Sequence, residues 1–359
     1  MGLLSLKPDP VIGIDIGSTA VKLLELSRSG KTYKVENYAI EPLPEKAVED
    51  KNIIDIDGVG EIVQRLIKRA KPKAQAAAVA VAGPAVITKV IDMMAGLSDD
   101  DLRAAIEIDA EQYLSYPIEE VNLDFEILGI SEKDENRVDV LLAASRSENV
   151  DSRLAVLELA DLKPKVVDIE KYALENAFKL IIKNDPEIQE DETIALIEIG
   201  SSTSSIYVLA ENEVVFTREE IFGGKRLIED IQNTYGLSYE EANLAIRSGD
   251  LPEDYDTAIL EYFRNDLAQQ VSRMVQYYYA TSSAASRHGK LSHIMISGGC
   301  AVIDNILDSV NHKVGGHVTI ANPFSFMTVA NKVDEKLLLR DAPALMTVCG
   351  LALRTFDEY

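Results

Sequence analysis

The chain contains an internal repeat, which constrains its fold more than any other feature of the sequence. The segment "VIGIDIGSTAVKLLELSRSGKTYKVENYAI" begins at residue 11, and "IALIEIGSSTSSIYVLAENEVVFTREEIFGG" begins at residue 194. Each has an apolar run, an acid, a glycine with hydroxyl residues, a second apolar run and a third strand. Asp15 therefore corresponds to Glu198, and Gly17 to Gly200. Because a repeat reports architecture rather than a local motif, it predicts two similar domains that each begin with three strands.

Composition excludes several classes of function. Lys and Arg number 36 against 60 Asp and Glu, a formal charge of −24, which argues against nucleic acid or an anionic membrane as a direct partner. Cys300 and Cys349 lie far apart without a CxxC motif, and the four histidines form no HExxH motif, so a disulfide framework or a zinc centre is not expected. We find no secretory signal and no apolar run near the ~18 residues of a membrane helix. We expect an intracellular protein that reaches a membrane only through a partner.

Local patterns predict the remaining elements. Residues 86–163 predict a strand, a helix capped by Ser98, a hairpin and a second helix, which together resemble a compact inserted unit. Near the end of the second half, apolar residues recur at a helical spacing of three and four, at positions 260, 263, 267, 271, 274 and 278. This spacing predicts a long helix with one buried face.

The repeated turns suit a phosphate. Glycine lets an anion approach the main chain, and successive backbone N–H groups in a tight turn can form an anion cradle. Ser18 and Thr19 can donate hydrogen bonds, Lys22 adds positive charge, and Asp15 suits a hydrated Mg²⁺. One such turn is most often a plain hairpin. Two of them predict a cleft in which phosphates are held from opposite sides.

Two further glycine elements are candidates for the same ligand. Residues 297–300, "SGGC", follow a predicted strand and suit an adenine face or an α-phosphate, although a plain strand-to-helix turn is an equal alternative. Residues 222–231, "FGGKRLIEDI", open a helix whose N-terminus suits a nucleotide. The chain has no GxxxxGK[ST] motif, which excludes a P-loop enzyme.

These motifs resemble the actin/Hsp70/hexokinase superfamily, and 86–163 is similar to the extra subdomain of cell-division FtsA proteins. The segments "GIDIGSTAVKLLELSRSGKTYKVENYAIEPLP", "AAVAVAGPAVITKVI", "DAEQYLSYPIEEVNLDFEILG", "FTREEIFGGKRLIEDIQNTYGLSYEEA" and "DAPALMTVCGLALRTFD" resemble more narrowly the PilM family, cytoplasmic actin-like proteins of type IV pilus assembly. The resemblance implies an α/β, ribonuclease H-like duplicated ATPase fold with an FtsA-type strand–helix–strand–strand–helix insert. It divides the chain into a first domain (9–85 and 164–192, completed by helix 342–357), an insert (86–163) and a second domain (193–341).

The resemblance also implies ligands and partners. It implies ATP with Mg²⁺ in the interdomain cleft, the metal held through water by Asp15 and Glu198, with Glu198 the candidate catalytic residue. It implies docking of the cytoplasmic N-terminal tail of PilN, an inner-membrane protein, in a groove between the first domain and the insert. Contacts to cytoplasmic motor ATPases and self-association stay open. The implied nucleotide-binding residues are Asp15, Gly17, Ser18, Thr19, Lys22, Gly200, Ser201, Ser202, Thr203, Gly223, Gly224, Lys225, Asn243, Gly298, Gly299 and Cys300.

Two departures from the superfamily pattern favour binding without fast turnover. Glu198 stands where an aspartate is usual, and its extra methylene can misplace the carboxylate. Asn243 and Ile246, with Arg247 adjacent, stand where relatives carry Glu and Lys. We therefore expect a nucleotide-loaded scaffold, with an active, filament-forming ATPase and a small-molecule kinase as alternatives. A membrane-bound filament is disfavoured because "RTFDEY" carries no amphipathic basic tail.

Overall fold

The structure is a computed structural model that describes residues 10–83, 86–110, 112–114, 116–132, 134–189, 191–282 and 289–357. Residues 9 and 85, the predicted ends of the first segment, lie outside the described residues. The strands are β1 (Val11–Ile16), β2 (Ala20–Ser29), β3 (Thr32–Pro42), β4 (Val48–Glu49), β5 (Asn52–Ile53), β6 (Ala76–Val81), β7 (Val86–Met94), β8 (Val121–Ser131), β9 (Asp134–Arg146), β10 (Lys163–Ile169), β11 (Ile194–Ile199), β12 (Ser204–Ala210), β13 (Glu213–Glu220), β14 (His293–Ser297), β15 (Val318–Ile320) and β16 (Thr328–Val329). The helices are α1 (Ile56–Ala70), α2 (Asp99–Ala110), α3 (Ser147–Leu159), α4 (Glu170–Asn184), α5 (Lys225–Tyr235), α6 (Tyr239–Ser248), α7 (Glu261–Thr281), α8 (Ile306–Val314), α9 (Glu335–Asp341) and α10 (Met346–Leu353).

Two sheets share one strand order, as the repeat predicts. The first runs β3-β2-β1-β6-β10 and the second β13-β12-β11-β14-β15. In both, the first three strands are antiparallel and the next two are parallel to the central strand. The short strand β16 extends the first sheet beside β3. This duplication confirms the predicted α/β class and the two similar domains.

Burial explains why the central strands are apolar throughout. β1 and β11 are flanked on both sides, and nearly all of their residues are buried. Such strands are buried on both faces and therefore show no polar alternation. The predicted helix is α7, preceded by a π-helical turn at 256–260. Its predicted apolar face is buried at every position, namely Leu260, Phe263, Leu267, Val271, Met274 and Tyr278.

The inserted unit is a three-stranded sheet, β7-β9-β8, covered by α2. The predicted cap of α2 is present, because the Ser98 hydroxyl accepts a hydrogen bond from the Asp101 N–H at 3.2 Å. The helix predicted to close the insert, α3, packs elsewhere: Val156 and Leu157 are buried in the first-domain core with Val59 of α1. The apolar face of a helix determines the core in which the helix packs. The position of α3 in the sequence does not indicate which of the neighbouring cores that is. The domain boundaries stay a prediction.

The two domains share a core beneath the space between them. α10 lies against β1 and α4, and it packs in one apolar cluster with Leu196 and Met295 of the second sheet. A Cβ on Gly350 would lie 1.7 Å from the Ala173 carbonyl oxygen, and one on Gly13 would lie 2.5 Å from the Val348 oxygen. Both contacts require glycine because backbone meets backbone. α10 is flanked by 3₁₀ turns at 342–345 and 354–356, in place of the single predicted helix 342–357.

This close approach generates a stability prediction. Gly350→Ala should lower the free energy of unfolding by about 1–3 kcal/mol or more, since the methyl has no room against α4 and overpacking outweighs the helix propensity of alanine. Urea denaturation of both proteins measures the difference. Gly299→Ala, whose Cβ would meet nothing within 4 Å, is the matched control. Equal midpoints for wild type and Gly350→Ala would show that α10 does not pack so closely.

Candidate nucleotide site

A cleft of about 1240 Å³ lies between the two sheets. It is lined by both repeated turns and by residues from several other elements. Of the residues predicted for a nucleotide site, those that line it are Asp15, Gly17, Ser18, Thr19, Lys22, Glu198, Gly200, Ser201, Ser202, Thr203, Gly224, Asn243, Gly299 and Cys300. The fold therefore brings fourteen predicted residues to one space, although they are spread over nearly 300 positions of the chain.

The two repeated turns have the same geometry. The Gly17 N–H donates to the Ala20 carbonyl at 3.1 Å, and the Gly200 N–H donates to the Thr203 carbonyl at 3.0 Å. A Cβ on either glycine would press on that oxygen, at 3.2 and 3.1 Å. Within the described part of the chain, four residues of the turns have N–H and hydroxyl groups without a hydrogen bond to protein: Ser18, Thr19, Ser201 and Ser202. Both turns thus present free donors to the cleft, as an anion requires.

The second glycine pair supports one turn from behind. The Gly224 N–H donates to the Gly200 oxygen at 3.0 Å, and the Lys225 N–H donates to the Ser201 oxygen at 2.9 Å. A Cβ on Gly223 would lie 2.2 Å from the Ser201 oxygen, so only glycine permits this approach. The Lys225 ammonium lies 4.0 Å from Glu229 on the outer face of α5. Gly223 and Lys225 therefore do not line the cleft, unlike Gly224.

In the third glycine element, residues 297–300, one glycine supports the backbone and the other lines the cleft. Gly298 has φ +89°, its N–H donates to the Pro343 oxygen at 2.8 Å, and a Cβ would lie 2.3 Å from the Ile199 oxygen. It therefore lets β14 end beside β11, and it is not among the residues that line the cleft. Gly299 and Cys300 do line the cleft. Burial raises the pKa of the Cys300 thiol to about 12, so the thiol stays protonated and acts as a small apolar side chain.

Carboxylates and lysines alternate at the base of the cleft. Asp15 and Lys22 face each other across β1 and β2, with 2.9 Å between Nζ and Oδ2. Glu198 is the second-to-last residue of β11, as Asp15 is of β1. Two residues that the sequence reasoning missed complete the cluster: the Lys51 ammonium lies 2.8 and 3.1 Å from the carboxylate oxygens of Glu170. Three acids and two lysines therefore surround one space.

The charges in this cluster affect one another strongly. Burial raises the pKa of Glu198 to about 7. Repulsion from Glu170 and Asp15 also raises this pKa, whereas attraction by the two lysines lowers it. For Lys22 and Lys51, burial opposes the charged form, but the neighbouring carboxylates outweigh it and raise the pKa of both. Both lysines are therefore charged at neutral pH, whereas Glu198 takes up a proton readily.

One of the missed residues had a signal in the sequence. Glu170 directly follows β10 in "VVDIEKYALENAF" and opens α4, so it sits at the carboxyl end of a parallel strand, where sites in such sheets form. Asp15 and Glu198 occupy comparable strand ends. Lys51 had no signal, since "VEDKNI" reads as an exposed polar turn. Only the tertiary structure brings it to the acids.

The far end of the cleft is partly apolar. Its wall contains Leu227, Ile228 and Ile303, which suit a flat apolar group such as a base. The Asn243 amide donates to the Tyr239 oxygen at 3.1 Å, which leaves its own oxygen as an acceptor. The residues present therefore fit a nucleotide, with a phosphate end and an apolar end.

The same residues fit a water-bound metal ion better than a directly caged one. Among the described residues, no three His, Cys, Asp or Glu side chains are arranged to hold a metal by themselves. Asp15 and Glu198 offer one carboxylate from each half. Mg²⁺ keeps several waters and needs only one or two carboxylates besides phosphate oxygens, so this donor set suits it.

Duplicated sheets around such a cleft define a protein of the actin-like ATPase fold. Residues 13–356 match the family described as type IV pilus assembly protein PilM, so the chain belongs to that family. A solved structure, the PilM-PilN type IV pilus biogenesis complex, is 22% identical, with 97% of this chain and 99% of that chain covered and a TM-score of 0.77. The ethanolamine utilization protein EutJ from Carboxydothermus hydrogenoformans is 15% identical over 97% and 91%, with a TM-score of 0.55. These likenesses confirm the predicted fold. No described helix is long and apolar enough to cross a membrane.

The raised pKa of Glu198 predicts a pH-dependent stability. Between its ordinary value of 4.5 and about 7, the folded protein holds a proton that the unfolded chain has lost, so stability falls as pH rises through this window. Glu198→Gln cannot lose that proton. Its stability relative to wild type should therefore increase by about 1–3 kcal/mol from pH 5 to pH 8 without nucleotide.

Urea denaturation at the two pH values checks this expectation. Glu229→Gln, on the outer face of α5, is the matched control for the change of side chain. If the stability difference between Glu198→Gln and wild type is the same at both pH values, then Glu198 is not held in the environment described above.

Proposed function

We propose that this chain binds ATP in the interdomain cleft and serves as a scaffold of type IV pilus assembly. The observation that carries the nucleotide site is the pair of equivalent turns at Gly17 and Gly200, which present free N–H and hydroxyl donors to one cleft. In this arrangement Ser18 and Thr19 bind phosphate oxygens from one side, and Ser201 and Ser202 bind them from the other. The apolar wall near Leu227 and Ile303 holds the base.

Mg²⁺ would be held through water by Asp15 and Glu198, and it would neutralise phosphate charge when bound. Lys22 supports this arrangement because it already balances Asp15 at 2.9 Å. The metal and the lysines each offset part of the negative charge of the phosphates and carboxylates, which is needed where burial penalises unpaired charge.

Turnover is proposed to be slow or absent. A base for hydrolysis needs a carboxylate that is free to orient a water. The Glu170 carboxylate is held by Lys51 through both oxygens, and the Glu198 carboxylate is assigned to the waters of the metal. Neither acid is poised to activate water while these contacts persist. The ligand then acts by stabilising one arrangement of the two domains.

An active ATPase is the second candidate, and the position of Glu170 favours it. This carboxylate lines the cleft together with Glu198 and Thr203 of the second half, so it would become available if a ligand displaced Lys51. Phosphate release over hours, compared between wild type and Glu170→Gln, separates the two candidates. Release that depends on Glu170 supports the ATPase, whereas equal background rates support the scaffold.

The proposed partner is the cytoplasmic N-terminal tail of PilN, docked between the first domain and the insert. This places the chain in the cytoplasm at the inner membrane, with PilN as the link to the membrane and the pilus motor ATPases as further partners. The family and the similar PilM-PilN complex support the proposal. α4 and the insert contact each other where the Lys171 ammonium donates to the Thr88 hydroxyl of β7. A contact between the two units gives nucleotide binding a path to the groove.

Asp15→Asn tests the metal role. In wild type, Mg²⁺ should tighten ATP binding, and Asp15→Asn should remove roughly tenfold or more of that gain, because an amide cannot replace a carboxylate toward a hydrated cation. Isothermal titration with ATP in Mg²⁺ and in EDTA measures the gain. Asp266→Asn, an aspartate in a surface ion pair with Arg226, is the matched control. An undiminished Mg²⁺ gain in Asp15→Asn would remove this residue from the metal site.

A synthetic peptide of the cognate PilN tail tests the partner. It should bind the purified chain without the membrane segment of PilN, since a short tail in a groove needs no bilayer. Fluorescence anisotropy with a labelled peptide measures the affinity, and a scrambled peptide of the same composition is the control. Binding by membrane-embedded PilN alone, with none by the peptide, would exclude the tail-in-groove arrangement.

A further inference from the structure

Lys51 is presented by a strained turn. β4 and β5 pair so that Glu49 faces Asn52, which leaves a two-residue turn of Asp50 and Lys51. Their φ angles are +46° and +68°, the left-handed conformation that such turns need and that usually selects Asn-Gly. A lysine here costs free energy that glycine would avoid. Strain of this kind persists where a side chain is needed at that place.

A buried arginine anchors the turn. Arg153 of α3 is 2% exposed, and its Nη2 donates to the Lys51 carbonyl at 2.9 Å. Its other donors go to the Ala80 carbonyl at the end of β6 and to the carbonyl and side-chain oxygens of Asn149. Within the described residues no carboxylate lies within ion-pair distance of this guanidinium. A buried cation whose ligands are all neutral oxygens is costly, so its position is not explained by charge pairing.

The surroundings leave little freedom for the turn. Gly83 has φ +84°, and a Cβ there would lie 3.2 Å from the Lys51 Cβ and 3.3 Å from the Asp50 oxygen. The Asn149 amide donates to the Ala82 carbonyl at 3.2 Å. The main chain of Lys51 is thus held between β6 and α3, and only its side chain extends toward Glu170.

We propose that Lys51 is a ligand of the terminal phosphate of a bound nucleoside triphosphate, and that Arg153 is the positioning residue that holds it there. The inference rests on the proposed nucleotide site. Lys51 lines the cleft with Glu198 and Thr203, and among the described residues its ion pair is with Glu170 at the base of the cleft. A terminal phosphate carries more charge than the Glu170 carboxylate, so it competes for this ammonium.

The consequence is discrimination between triphosphate and diphosphate. A diphosphate held by the two glycine turns leaves Lys51 on Glu170 alone, whereas a triphosphate takes one of the three donors of the ammonium. Lys51 then bridges the third phosphate and Glu170 at the start of α4, the helix whose next residue, Lys171, contacts the insert at Thr88. Lys51 therefore couples the presence of the third phosphate to α4, which contacts the insert.

Affinities for ATP and ADP in Mg²⁺, measured by titration on the full chain, test the inference. Lys51→Met should lower the ATP affinity roughly tenfold or more while changing the ADP affinity much less, because one charge-assisted hydrogen bond to the third phosphate is lost. Lys51→Gly, which suits the left-handed turn, should give the same loss in a folded protein. Lys179→Met is the matched control, since Lys179 pairs with Glu175 at 2.8 Å on the same helix as Glu170.

Arg153→Lys tests the positioning role, with melting curves to verify folding. It should lower the ATP:ADP preference in the same direction, and the Lys51→Met/Arg153→Lys double variant should lose no more preference than Lys51→Met alone. A further loss in the double variant would overturn the positioning role. Equal losses of ATP and ADP affinity in Lys51→Met, or no loss, would overturn the contact between Lys51 and the third phosphate. The proposed nucleotide site would still stand if wild type binds ATP. If wild type binds neither nucleotide, the proposed function itself fails.

Discussion

The close approach of α10 to β1 and α4 of the first domain, within an apolar core that extends to the second sheet, is the constraint on which the rest of the structure depends. Gly350 against Ala173 and Gly13 against Val348 let backbone meet backbone, and the apolar residues around them join the two sheets in one core. Because the central strand of each sheet ends above this core, the two glycine turns face a common space. Without that shared floor, each half would carry a plain hairpin, and neither turn alone could enclose a ligand.

Electrostatics makes the same space selective. Three carboxylates lie close together at the base of the cleft, and two lysines lower the free-energy cost of burying them. An anionic ligand must therefore compete with Glu170 and Asp15 for lysines that are already engaged, and a cation must compete with the lysines for the acids. A ligand that brings phosphate and metal together satisfies both groups at once, which is the physical reason for proposing a metal-bound nucleotide rather than a free anion.

The parts that could be predicted from sequence are those governed by short-range patterns. The repeat predicted two equal sheets, the helical spacing predicted the buried face of α7, and Ser98 predicted the start of α2. Helix α3, which the sequence analysis grouped with the insert, packs in the core that contains α1, because an apolar face does not indicate which core it will join. Gly223 and Gly298 are predicted ligand contacts, and in the structure they make close backbone approaches outside the lining of the cleft. A glycine in the sequence indicates that a side chain is absent, but not which group approaches the main chain there.

The sequence by itself determined the fold family, the duplicated halves and the acid, glycine and hydroxyl residues of each turn, because these follow from periodicity, repetition and local chemistry. Only the tertiary structure decided which charges meet. Lys51 and Glu170 are separated by 119 positions, and Arg153, which fixes the turn of Lys51, comes from a third element. Contacts of this kind depend on how helices and strands pack in three dimensions, and no pattern along the chain records that packing.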